Sequence, residues 1–253
     1  MKLKSALIFL LSASMLFAKA QRIAPDHEKV KGGELIIQPI THATMVLTYQ
    51  GKNIYIDPTG GAEVFKGLAG PDIILITDIH GDHFDPKTID AINTSKAMLI
   101  VPQAVADKLP DNYDKEKLVI LKNGDKTLQA GISITAFPMY NLPDAENANY
   151  HIRGRGNGYI LEIGGKNIYI SGDTADTPEM RALKDIDIAF ICMNLPYTMD
   201  VNGAAQGVLA FKPKVVYPYH YKGQDVKIFT TLVNTSDKNI DVRLRNWYPN
   251  EPK

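Results

Sequence analysis

The chain has 253 residues, with 28 basic and 28 acidic side chains and no formal net charge. That balance, with no Lys/Arg-rich tract, excludes an electrostatic nucleic-acid binder. The single cysteine, Cys192, excludes an internal disulfide framework, so the fold must be held by its core.

Lys2 and Lys4 precede an apolar run from Ala6 to Phe17, and Ala18-Lys19-Ala20 places small residues where a signal peptidase reads. This is the order of a secretory signal, and the run is short for a bilayer span. No Cys follows it to take a lipid anchor. The expectation is a signal peptide over residues 1–20 and one domain over 21–253. The protein would be exported, periplasmic or secreted, with no stable membrane span after cleavage. His27 falls in a polar leader and is expected to face solvent.

Short apolar runs rich in Ile, Val and Tyr follow, bounded by Gly, Pro, Asp and Asn. They predict strands over 34–40, 44–49, 53–57, 72–77, 98–101, 118–121, 132–137, 159–163, 167–171, 186–192 and 215–217. Helical spacing falls over 86–93, 103–109, 178–183, 201–211 and 226–232. Hairpins mixed with strand–helix–strand units indicate an α/β (α+β) fold with mixed sheets. Cys192, inside the run 186–193, reads as a small buried hydrophobe.

The chain also echoes itself. Gly51-Lys52-Asn53-Ile54-Tyr55-Ile56 recurs as Gly165-Lys166-Asn167-Ile168-Tyr169-Ile170 at an offset of 114. Asp72-Ile73 matches Asp187-Ile188 at 115, and Val101-Pro102 matches Tyr217-Pro218 at 116. Three matches in order predict two similar β-rich halves stacked face to face, with a cleft along their shared edge.

Polar clusters sit just past predicted strand ends: Asp78, His80, Asp82 and His83; Asn141; Asp173; His220. Imidazoles and carboxylates on loops at strand ends are how such folds build sites, and these donors suit a borderline divalent metal such as Zn2+. His42 and Asp57 either orient such ligands together or form a His–Asp pair that braces the sheet. In 150–159, Arg153 and Arg155 either hold an anionic small-molecule substrate or are solvated arginines on a Gly-rich turn. His151 is either functional or part of that turn. Tyr221 could donate to an oxyanion or lie on the surface. Asn194–Tyr197 is expected to line the cleft wall, and Trp247 to anchor packing.

Asp78-Ile79-His80-Gly81-Asp82-His83 resembles the H-x-H-x-D-H signature of the metallo-β-lactamase superfamily, and Ser171-Gly172-Asp173-Thr174 and Tyr219-His220-Tyr221 are similar to its later elements. Thr41-His42-Ala43-Thr44, with Ile56-Asp57-Pro58, resembles the branch containing ascorbate-6-phosphate lactonase and N-acyl-phosphatidylethanolamine phospholipase D. The resemblance implies a four-layer αβ/βα sandwich and a metal-dependent hydrolase. Its metal-bound hydroxide would attack a small ester, lactone or phosphodiester, with Asp82 or Asp173 as the catalytic carboxylate. It also implies one intact site, Asp82, His83 and His220, with Asp173 bridging. At the other site Asp78 and Asn141 stand where the family has His, and His80 remains. A true β-lactamase is therefore not expected.

Three arrangements stay open: one softer and one harder position, the latter (Asp78/His80) taking Mn2+ or another harder ion; a single Zn2+; or a second site completed by His151. The first two are favoured. The competing reading is an exported metal- or ligand-binding protein whose hydrolytic site has decayed.

Overall fold

The computed structural model describes residues 22–92, 94–111, 113–144 and 150–249, and the expected signal peptide lies outside them. Strands β1 (Asp26–Val30), β2 (Gly33–Thr41), β3 (Thr44–Tyr49), β4 (Lys52–Ile56), β5 (Ile73–Leu75), β6 (Met98–Val101) and β7 (Leu118–Ile120) lie side by side in chain order. Strands β8 (Lys126–Gln129), β9 (Ile132–Met139), β10 (Gly156–Ile163), β11 (Lys166–Ile170), β12 (Ile188–Cys192), β13 (Val215–Tyr219) and β14 (Asp241–Val242) repeat the order in a second sheet. In each sheet the first four strands are antiparallel and the last four parallel.

The echo in the sequence is this repetition. Tyr49 pairs with Lys52 at the β3–β4 turn, and Ile163 pairs with Lys166 at the β10–β11 turn. The entry to the next strand is fixed alike in both halves. Asp72 accepts from Asn53 N at 2.9 Å, and Asp187 accepts from Asn167 N at 2.9 Å.

Alternating apolar residues bury both faces of each sheet. Ile37, Leu47, Ile54 and Ile73 of the first sheet share one continuous core with Ile134, Leu161 and Ile168 of the second. The opposite face of the first sheet, Val46, Tyr55, Ile74 and Leu99, packs against Ile89 of α1 (Pro86–Ala91) and Val105 of α2 (Gln103–Ala106). Helices α3 (Pro178–Arg181), α4 (Val201–Phe211) and α5 (Val226–Ser236) flank the second sheet, giving the four-layer sandwich. α4 begins where Asp200 accepts from Gly203 N at 2.8 Å, and buries Val201, Ala204, Ala205, Val208 and Phe211 at helical spacing.

Strands β1, β8 and β14 were not expected from the sequence. All three lie at sheet edges and bury no residue fully, so the apolar alternation that marks an inner strand is missing. His27 accordingly lies on β1 rather than in a leader, half-exposed and 2.8 Å from Glu34.

Trp247 is fully buried and packs its ring edge-on against Phe190 and Tyr219. Trp247→Ala should cost about 3–5 kcal/mol, the range for emptying a large aromatic site. The urea unfolding midpoint reads this, and a loss below about 1 kcal/mol would remove Trp247 from its anchoring role.

Candidate metal centre

The polar loops meet at the carboxyl ends of the parallel strands, where open α/β sheets place their ligand sites. Asp57 follows β4, Thr77–His83 follows β5, Asp173 follows β11 and His220 follows β13. His151 arrives on the connection from β9 to β10. Asp57, His42 and His220 take φ of 43°, 51° and 47°, a left-handed region that non-glycine residues seldom occupy. Tertiary hydrogen bonds hold two of them there: His42 N donates to Trp247 O at 2.9 Å, and His220 N donates to His42 O at 3.2 Å. Gly172 (φ 59°) lets the Asp173 loop lie close to Thr77, whose Cβ would stand 3.2 Å from an added methyl.

Two groups of donors result. Asp82, His83, Asp173 and His220 form one, and Asp78, His80 and His151 the other. Asp173 lies between them. Its Oδ2 is 3.2 Å from His83 Nε2 and 3.4 Å from His151 Nε2, and its Oδ1 is 3.3 Å from His220 Nε2. Asp82 Oδ2 lies 3.2 Å from His220 Nε2 and 3.8 Å from His83 Nε2. In the second group, Asp78 Oδ2 is 2.7 Å from His80 Nδ1 and 3.7 Å from His151 Nε2.

These spacings fit an ion. Ligands about 2.1 Å from a tetrahedral divalent metal are about 3.4 Å apart. His83 Nε2, His151 Nε2 and Asp173 Oδ1 are buried with no hydrogen-bond partner among the described residues. Buried polar atoms rarely lack partners, and three converging here are what a metal would satisfy.

Other residues aim the ligands. Asp57, buried, accepts from Thr77 N at 2.7 Å, from Thr77 Oγ1 at 2.6 Å and from His83 Nδ1 at 2.8 Å. With Nδ1 committed to Asp57, Nε2 is the nitrogen that faces Asp173. Burial alone would strip the second His83 proton, but the Asp173 and Asp57 carboxylates outweigh it and raise the imidazole well above its ordinary value. Burial likewise opposes charge on Asp173, yet His220 and His83 hold it well below the usual carboxylate range. Buried Cys192 has its thiol pushed up to about 12 by desolvation, and its Sγ accepts from Thr174 N at 3.5 Å, bracing the Asp173 loop.

A cavity of about 570 Å³ opens above the donors, with Tyr150, Tyr197, Tyr248, Asn194 and Lys222 in its walls. Asn194 and Tyr197 were expected there. Tyr150, Tyr248 and Lys222 were not, because Tyr248 and Lys222 reach the cleft from the tail and the segment after β13 with no spacing signal.

Several sequence expectations are corrected. His42 does not pair with Asp57; its Nε2 meets Asp82 Oδ2 at 3.0 Å, its Nδ1 meets Tyr248 Oη at 2.7 Å, and its ring lies 3.8 Å from that of His220. Tyr221 donates to Arg245 O at 2.9 Å and is absent from the cavity wall. Neither arginine lines the cavity. Arg153 pairs with Asp144 and Glu179 over the Tyr140 ring, and Arg155 grips Asp78. His151, not favoured from the sequence, completes the donor set of Asp78 and His80. Asn141 donates from Nδ2 to Tyr197 O at 3.0 Å, the carbonyl that His151 Nδ1 also meets at 3.0 Å.

Comparison with known proteins agrees with this geometry. The family model described as a beta-lactamase superfamily domain matches residues 36–220. A UPF0173 metal-dependent hydrolase of Staphylococcus saprophyticus is 30% identical over 214 residues, 78% of this chain and 93% of the relative. One from Lysinibacillus sphaericus is 31% identical over 79% of this chain and 92% of its own length. A crystal structure of a Parabacteroides distasonis protein assigned to the metal-dependent hydrolases superposes with a TM-score of 0.79 at 42% identity, covering 88% of this chain and 98% of that one. The chain belongs to the beta-lactamase superfamily and, within it, to the UPF0173 metal-dependent hydrolase family.

Asp57→Asn should weaken metal binding about 10–100-fold, as losses behind a ligating imidazole do, while circular dichroism stays native. An unchanged affinity in a chelator competition would refute that role. Because His83 holds its proton above the ordinary imidazole value, an ion must displace it, so metal affinity should keep rising with pH through neutrality and level off only once that raised value is passed. Calorimetry in buffers of different ionisation enthalpy should show proton release on binding at pH 7, and no release would contradict the pairing.

Proposed function

We propose that the chain is a dinuclear metal-dependent hydrolase of a small ester, lactone or phosphodiester. Asp82, His83 and His220 would hold one ion, Asp78, His80 and His151 the other, with Asp173 shared. The observation that carries this reading is Asp173 Oδ2, 3.2 Å from one donor group's imidazole and 3.4 Å from the other's. Bound divalent ions supply Lewis acidity and acidify water at neutral pH. Zn2+ suits the first set. The second set has the same donor mix, two imidazoles and a carboxylate beside Asp173, so Zn2+ suits it too and Mn2+ or another harder ion can compete for its oxygens.

The chain's own groups prepare the rest. Burial opposes ionisation of Asp82, but hydrogen bonds from His220 and His42 hold it far below the usual carboxylate range. It is therefore an ionised, partly exposed carboxylate on the cavity floor, placed to orient a polar reactant or take its proton. Tyr150, Tyr197 and Tyr248 give the cavity aromatic walls, and Lys222 places a cationic side chain among them, a lining that suits a small substrate with an anionic group. The Thr41-His42-Ala43-Thr44 phrase, with His42 on Asp82, supports kinship with the lactonase and phospholipase D branch. The decayed-site reading is disfavoured because His151 supplies the donor that Asp78 and Asn141 left missing. Export through residues 1–20 belongs to the same proposal, and cell fractionation tests it.

Elemental analysis of protein purified without chelators should find two ions per chain. His83→Ala should lose the first set's ion and His151→Ala the second's. Bis(p-nitrophenyl) phosphate, a lactone and an ester would then be assayed, with Asp82→Ala expected to lower kcat at least about 100-fold. Native protein with no metal above background would sink the hydrolase reading.

A further inference from the structure

Asp78 is fully buried, and a buried carboxylate persists only with compensating charge and hydrogen bonds. Arg155 supplies both. Its Nε donates to Asp78 Oδ1 at 3.3 Å and its Nη2 to Oδ2 at 3.2 Å, a two-point grip of the kind a planar guanidinium makes. The same Nη2 donates to Tyr150 O, so the fork is held from behind.

The backbone sets this contact deliberately close. Asn157 N donates to Thr77 O at 2.9 Å, joining the start of β10 to the residue before Asp78. Gly156 permits it, since a Cβ there would lie 2.8 Å from Thr77 O and 3.2 Å from Asp78 Oδ1. The two imidazoles of the second donor group approach Asp78 Oδ2 as well, His80 at 2.7 Å and His151 at 3.7 Å. Among the described residues the first group shows no such guanidinium: Asp82 is met by the imidazoles of His42, His220 and, at 3.8 Å, His83.

Resting on the dinuclear reading above, we propose that Arg155 is the positioning residue that cancels the charge of Asp78, so that the Asp–Arg pair acts as one neutral donor and the second ion is bound more weakly than the first. Asp78 and Arg155 sum to zero, as a neutral imidazole would. The second ion therefore gains little beyond its share of Asp173, whereas the first has Asp82 as an uncompensated carboxylate. Arg155 thus grades the two sites and keeps the second from becoming a hard-ion trap.

The test is titration of metal-free protein with Zn2+ and separately with Mn2+, followed by calorimetry. Wild type should fill in two steps. Arg155→Gln keeps a donor but removes the charge. It should tighten the second step at least about tenfold, more for Mn2+ than for Zn2+, and leave the first unchanged. Metal-free Arg155→Gln should melt lower than wild type and gain more on saturation with metal, because Asp78 has lost its partner. Arg155→Lys retains the charge and should leave both steps within about threefold.

A merely structural arginine predicts the opposite sign, a weaker second step in Arg155→Gln, and that result or an unchanged step would overturn the inference. If Arg155→Gln does not fold, Arg155→Lys decides: a second step tightened like a charge-removing change would overturn it, and an unchanged one would support it. Two steps in wild type with the wrong response to substitution defeat this inference alone. Only one step defeats the dinuclear reading with it, and none defeats the metallohydrolase reading altogether.

Discussion

Asp173 is a carboxylate buried where an isolated charge would be intolerable, and three imidazoles, His83, His151 and His220, lie within 3.4 Å of its oxygens. The three histidines come from three separate segments, so the carboxylate is stable only when both sheets have formed and met. Asp57 and Asp78 extend the same logic outward, each fully buried and each matched by a specific cationic or donor side chain.

The repeated halves explain how that meeting is arranged. Each sheet changes from antiparallel to parallel at its fourth strand, so the carboxyl ends of the parallel strands point to one edge in both. The loops after β4 and β5 carry Asp57 and Thr77–His83, and those after β11 and β13 carry Asp173 and His220. Neither half holds a complete donor set. The first lends Asp78, His80, Asp82 and His83, and the second lends Asp173, His151 and His220. The left-handed turns at His42, Asp57 and His220 are the cost of aiming side chains across that boundary; those at His42 and His220 persist because the tail at Trp247 and the opposing loop hold the backbone, and that at Asp57 because its N–H donates to Leu75 O.

The inner strands and α4 were legible because their apolar spacing follows the burial of one or both faces, and α4 was read with its observed bounds, Val201–Phe211. Edge strands β1 and β8 were not, since their pairing rather than their burial makes them strands. Among the donors, Asp82, His83, Asp173 and His220 could be read from dense polar clusters at strand ends. His151 resisted that reading because it sits in a Gly- and Arg-rich stretch whose composition fits a plain turn equally well. Arg155 was misjudged for a related reason: composition shows a cation near a site but not the carboxylate it faces.

The sequence by itself therefore determined the strand and helix pattern, the twofold repetition and the chemical types gathered at one edge, because these are written in local periodicity and in side-chain chemistry. Tertiary structure alone decided the partnerships: Asp57 with His83 rather than His42, Arg155 with Asp78 rather than solvent, and His151 as the missing donor. Those pairs join residues far apart in the chain, and their geometry depends on how two sheets twist and stack, which no local pattern encodes.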